Sequence, residues 1–93
     1  MVCQDPEHRM TRRRQPEAEL FGQRLRQLRN DRGLTQVQLA EASGLIDTYI
    51  SDMERGLKVP SLTTLLRLAD ALGCKVADLV TVFDQEPDLK RFL

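Results

Sequence analysis

The sequence predicts an all-α fold, a compact domain of five short helices. Three observations carry that expectation. Apolar residues recur at three- and four-residue spacings in successive segments, as helices with one buried face require. Leu, Ala, Gln, Glu and Arg are abundant, β-branched runs are few, and no convincing strand or internal repeat emerges. Glycine and proline punctuate the segments at Pro16, Gly33, Gly44, Gly56, Pro60 and Gly73, where helices start or stop. A chain of 93 residues allows one small domain, near the lower range for independent stability. With 41% hydrophobic residues and only 4% aromatic ones, its core must be aliphatic.

Residues 1–16 read as a flexible N-terminal arm, polar, with two prolines and no periodicity. The basic run Arg12-Arg13-Arg14 reads either as an arm for DNA backbone or minor groove, or as a solvated tail. The domain then occupies 17–83. Pro16 suits a helix start, and Glu17 and Glu19 favour the positive end of the helix dipole. Helix 1 covers about 17–32, with Phe21, Leu25 and Leu28 as its apolar stripe and Arg24, Arg26, Gln27 and Arg32 largely outside it. Gly33 ends it, and Leu34 turns back into the core.

The stretch Thr35 to Gly56 reads as two short helices around a glycine turn. Thr35 and Gln38 have the spacing of a capping box, and Leu39 and Ala40 face inward. Gly44 allows a left-handed turn, Leu45 plugs it, and Ile50 and Met53 form the buried stripe of helix 3. Pro60 blocks helix continuation and Ser61 offers the next N-cap. Helix 4 (about 62–72) shows a broad apolar face of Leu62, Leu65, Leu66, Ala69 and Leu72, with Arg67 and Asp70 outside. Helix 5 (about 76–83) carries Val76, Leu79, Val80 and Phe83, more than one small core needs. Residues 84–93 form a polar C-terminal tail that closes on Leu89, Phe92 and Leu93, a candidate dimer contact.

Fourteen basic residues balance fourteen acidic ones, which weighs mildly against a strong nucleic-acid binder. Cys3 and Cys74 lack metal-type spacing, and Cys74 reads as a small buried hydrophobe rather than a disulfide partner of Cys3. No signal-peptide segment or membrane-length apolar run occurs, so a reduced, cytoplasmic protein is expected. No nucleophile is paired with a base, and no metal cluster or glycine-rich phosphate loop is present. Ser43, Ser51 and Ser61 have helical or capping explanations, and His8 stands alone. Neither catalysis, cofactor nor metal is expected, nor is a separate ligand-binding domain.

Taken in order, F-G-Q-R-L-R-Q-L-R, G-L-T-Q-x-x-L-A, G-L-x-x-x-Y-I-S-x-M-E-R-G and P-S-L-x-T-L-L-R-L-A-x-A-L-G-C-K-V-x-D-L resemble the lambda-repressor-like, Cro/C1-type (XRE family) helix-turn-helix domain. The resemblance covers roughly residues 20 to 80. It implies double-stranded DNA as partner, with helix 3 entering the major groove and its N-terminal residues facing base edges. Those positions are Asp47 and Thr48, with Asp52 a turn further; Tyr49 and Ser51 complete the helix 3 set. Gln36 matches the position that clamps a phosphate at a helix start, and Arg55 and Lys58 match contacts to the neighbouring backbone. Arg24 offers a further phosphate contact. Arg29 and Glu54 match a pair that forms an internal salt bridge.

This chain departs from the family where Ile46 replaces the usual Ser or Thr at the N-cap of helix 3. Asp47 then either caps the helix or only favours its positive end. Either aspartate is alternatively a base reader, accepting from cytosine, and Asp52 is otherwise a solvated charge. The expected protein is a sequence-specific transcriptional regulator, a homodimer on a palindromic operator. The alternatives are an antitoxin-type module with a toxin partner and a restriction-modification controller protein; no membrane role is expected.

Overall fold

The computed structural model describes residues 15–85 and residue 89. Expectations that fall on residues 1–14, with Cys3, His8 and Arg12 to Arg14, or on Phe92 and Leu93 lie outside the described residues, whereas Leu89, expected in a dimer contact, is buried within the chain itself. Among the described residues the chain forms α1 (Pro16–Asp31), α2 (Gln36–Ser43), α3 (Asp47–Glu54), α4 (Leu62–Leu72) and α5 (Val76–Val80). A 3₁₀ turn, Thr81–Gln85, follows.

Local chemistry explains most boundaries. Pro16 opens α1 with Glu17 and Glu19 in its first turn. The Thr35 hydroxyl accepts from the Gln38 amide while the Gln38 side chain accepts from the Thr35 amide, closing the box that starts α2. Ser61 accepts from the Thr64 amide at the start of α4. At α5 the Asp78 carboxylate reaches back to the Lys75 amide, 2.9 Å away.

One cluster of side chains joins all five helices. Phe21, Leu25 and Leu28 of α1 meet Leu39 and Ala40 of α2, Ile50 and Met53 of α3, Leu68, Ala69 and Leu72 of α4, and Leu79 of α5. Each fully buried aliphatic or aromatic member contributes about 1.5–3 kcal/mol of transfer free energy. α1 crosses α3 and packs on α5, while α2 lies against both α3 and α4.

Two elements differ from the sequence expectation. In α4 the inward arc is Thr64, Leu68, Ala69 and Leu72, with Leu65 half-buried, whereas Leu62 is 72% and Leu66 55% exposed. Leucines on every side of this helix leave its pattern with no unique inward direction. The last helix also stops sooner: α geometry ends at Val80, and residues to Gln85 wind as a 3₁₀ turn. At three residues per turn, side chains three apart eclipse, and Val80 and Phe83 both rest against the core. Cys74 is free and only half-buried, and burial pushes its thiol pKa up, with Asp78 adding to the effect.

The crossing of α1 on α3 depends on Gly22. A Cβ there would lie 2.8 Å from the Glu54 carbonyl oxygen and closer still to that of Met53. Both obstacles are backbone, so a side chain could be admitted only by moving the helices apart. Beside this crossing, Arg29 of α1 grips Glu54 through two bonds, Nε to Oε2 at 2.6 Å and Nη2 to Oε1 at 3.0 Å. Its Nη1 donates to the Leu34 carbonyl at 2.7 Å, so one guanidinium ties α1, the following turn and α3. Both residues are 8% exposed, and the Glu54 hydrogen bond raises the Arg29 pKa against the opposing effect of burial.

Gly22→Ala is expected to cost about 1–3 kcal/mol, the range for overpacked contacts, and to lower the thermal midpoint followed by circular dichroism. For the ion pair, Glu54→Leu alone should cost about 3–5 kcal/mol in urea unfolding because it strands the Arg29 charge. Adding Arg29→Met should recover much of that loss. A double variant no more stable than Glu54→Leu would show that the pair is not the source of the penalty.

Candidate nucleic-acid interface

α2 and α3 are joined by a tight turn at Gly44, whose φ of 75° is left-handed and open to glycine at no steric cost. The Gly44 and Leu45 amides both donate to the Ala40 carbonyl, which closes the end of α2. Buried Ser43 donates its hydroxyl to the Leu39 carbonyl at 2.7 Å, and half-buried Leu45 packs on the core. The angle between the two helices is therefore set by backbone bonds and one apolar plug.

Ile46 then takes the extended backbone of the N-cap, and its side chain makes no capping bond. Asp47 is consequently the first residue inside α3 and does not cap it. Its carboxylate acts at the positive end of the helix dipole, which corrects the capping alternative. Asp47 and Thr48 are both exposed at this end. Tyr49 is half-buried against the core, with its hydroxyl 3.3 Å from Thr64 Oγ1 of α4, and Ser51 is half-buried.

Gln36, the first residue of α2, donates its side-chain amide to Glu54 Oε1 at 3.1 Å. The start of α2 is thereby joined to the end of α3 through the carboxylate that Arg29 holds. A second group forms at the end of α3. Arg55 Nη2 lies 2.8 Å from Asp52 Oδ1, and Lys58 Nζ lies 3.6 Å from Oδ2. Asp52 is not a lone solvated charge but shares two cations. The Arg55 pair, with its cation well exposed, adds only about 0.2–1 kcal/mol to the fold.

Arg24 is used elsewhere. Its Nε donates to the Asp78 carbonyl at 2.8 Å and its Nη1 to Gln27 at 3.1 Å, so it fastens α1 to α5. Arg32 likewise donates to the Leu72 carbonyl at the end of α4. The sequence reading missed Arg67, whose Nη1 would lie 3.3 Å from a Cβ at Gly44, so it brings a cation over the turn before α3. No local signal points to that reach. The Asp52–Arg55 link, by contrast, was legible as an i, i+3 pair of opposite charges. Among the described residues, no cluster of His, Cys, Asp and Glu is suited to a metal, and no helix is long and apolar enough to cross a membrane.

The helix-turn-helix domain family profile matches residues 20–82, which takes in all five helices from within α1 onward. The chain is 41% identical over 68 residues to the HTH-type transcriptional regulator y4dJ of Sinorhizobium fredii, covering 73% of this chain and 88% of that protein. It is 44% identical over 63 residues to the control protein C.SmaI of Serratia marcescens, covering 68% and 75% respectively. Among solved structures, the restriction-modification controller protein C.AhdI of Aeromonas hydrophila superposes with a TM-score of 0.65 at 45% identity, over 67% of this chain and 94% of that one. The capped α2, the left-handed Gly44 turn and the span of these matches agree: the chain belongs to the helix-turn-helix domain family, in its Cro/C1 (XRE) form.

Proposed function

We propose that this protein is a sequence-specific DNA-binding transcriptional regulator that works in the cytoplasm as a homodimer. One observation carries the reading. The first turn of α3 is presented outward, with Asp47 and Thr48 exposed, on a helix whose opposite face is locked into the core by Ile50 and Met53. Such a helix fits the major groove, where Thr48 contacts base edges and Asp47 selects cytosine through its exocyclic amine. Gln36, Arg55 and Lys58 flank it as phosphate contacts, and Tyr49 and Ser51 support it from the same helix. The regulators and control proteins to which the chain is similar support this assignment.

Dimerisation follows from a single unit's short reach, since two copies read half-sites about 34 Å apart. A largely apolar groove of about 360 Å³ lies between α1, the loop before α4 and the 3₁₀ turn, lined by Phe21, Val59, Pro60, Leu65, Val80 and Phe83 with Glu17 and the chain's own buried Leu89. A second copy seated there would bury it. The restriction-modification controller role is the second reading, favoured by the likeness to C.SmaI and C.AhdI; a neighbouring gene pair for a nuclease and a methyltransferase would distinguish it.

Selection from a random duplex pool should return a palindromic consensus. Thr48→Ala should lose about 1–3 kcal/mol on that site and relax one position. Gln36→Ala and Lys58→Ala should instead weaken all sequences alike, and Lys58→Ala, which removes a cation, should also lower the salt slope by about one. Failure to enrich any sequence at low salt would overturn the assignment. Val59→Glu should leave a folded monomer in sedimentation and reduce operator affinity; a persistent dimer would exclude this groove as the contact.

A further inference from the structure

Asp52 stands between the reading end of α3 and the cations that follow the helix. It lies one turn beyond Thr48, at i+4, and so shares that residue's face. Its side chain is 22% exposed, while those of Arg55 and Lys58 are 62% and 59% exposed. The carboxylate is the sheltered partner of both pairs and the cations are the accessible ones. At 2.8 Å the carboxylate accepts a hydrogen bond from Arg55, and at 3.6 Å it lies within ion-pair distance of Lys58, so one anion faces two cations at once.

We propose that Asp52 is a built-in rival of the DNA phosphate, an affinity-setting residue that keeps Arg55 and Lys58 partly neutralised and weakens binding to every DNA sequence alike. This rests on the reading of α3 as the DNA-facing helix. A phosphate approaching Arg55 or Lys58 has to displace the carboxylate or share the cations with it, and in either case meets an adjacent negative charge. The three residues together offer one net positive charge instead of two. In a chain whose formal net charge is zero, that loss is a large part of the local field available to attract a polyanion. A cytosine-reading role would act at one base pair only. Charge rivalry acts on the backbone, which is the same in all sequences, and so alters affinity and salt slope together.

The test compares the full chain with Asp52→Asn, nearly the same shape without the charge, and with Asp70→Asn. The latter removes an equal charge from the exposed side of α4. Each is titrated with a random-sequence duplex and with the pool-selected site, between about 50 and 200 mM salt. Asp52→Asn is expected to bind both duplexes about fivefold or more tightly at the lowest salt, with the gain shrinking about threefold by the highest, as one added phosphate contact requires. Asp70→Asn should change either by less than about twofold. Weaker binding of Asp52→Asn to both duplexes would mean that the carboxylate positions the cations, and loss on the selected site alone would mean that it reads a base. Unchanged binding, or an equal gain from Asp70→Asn, would also overturn the proposal. If the folded wild type binds neither duplex at the lowest salt, the DNA-binding reading itself falls, and this inference with it.

Discussion

The Glu54 carboxylate is the point on which the rest of the structure depends. It receives Arg29 from α1 and Gln36 from α2 while belonging to α3, so a single buried anion fixes three helices relative to one another. Gly22 makes this possible by letting the backbone of α1 settle onto the carbonyls of Met53 and Glu54. A buried ion pair gains little net stability over an apolar pair of similar volume. Its value here is directional. Two donors at fixed angles define where the end of α3 lies, which a cluster of leucines would leave free to slide.

This arrangement assigns scaffold and interface to opposite ends of one short helix. Met53 and Glu54 are buried at the C-terminal end, and the bonds that orient α3 are concentrated there. At the N-terminal end, exposed Ile46, Asp47 and Thr48 are free of those duties, so their identities can change without disturbing the fold. The same separation explains how exposed Asp47 can sit at the start of α3 without disturbing the buried end of the helix.

What was legible in the sequence follows from the range of each interaction. The capping box of Thr35 and Gln38, the Ser61 cap and the Gly44 turn are local, fixed by residues a few positions apart, and their chemistry is visible in the letters. Arg29 and Glu54 lie 25 positions apart and could be paired only through the family resemblance. Gly22 and Arg24 were beyond reach for a different reason. Their partners are backbone carbonyls, which every residue carries, so nothing in the sequence marks Met53, Glu54 or Asp78 as the acceptor or obstacle. The leucines of α4 failed through abundance: with apolar residues on both arcs, the packing of α2 and α5 against the helix decides that Leu68 goes in and Leu66 stays out. At the site, the proposed DNA-facing residues came from the resemblance and the Asp52–Arg55 pair has a local i, i+3 spacing, while the approach of Lys58 to the same carboxylate emerged only from coordinates.

The missing cap at Ile46 has a mechanical consequence. A helix start without a side-chain cap is about 1 kcal/mol easier to unwind than one that has it. α3 is pinned to α4 by Tyr49 and to the core by Ile50, which leaves Asp47 and Thr48 ahead of the first anchor. The helix is thus a beam clamped at its far end, whose leading turn is held by backbone bonds to the Ile46 carbonyl and by the Asp47 charge alone. Two residues can adapt their backbone to whatever surface they meet while the other six keep their register.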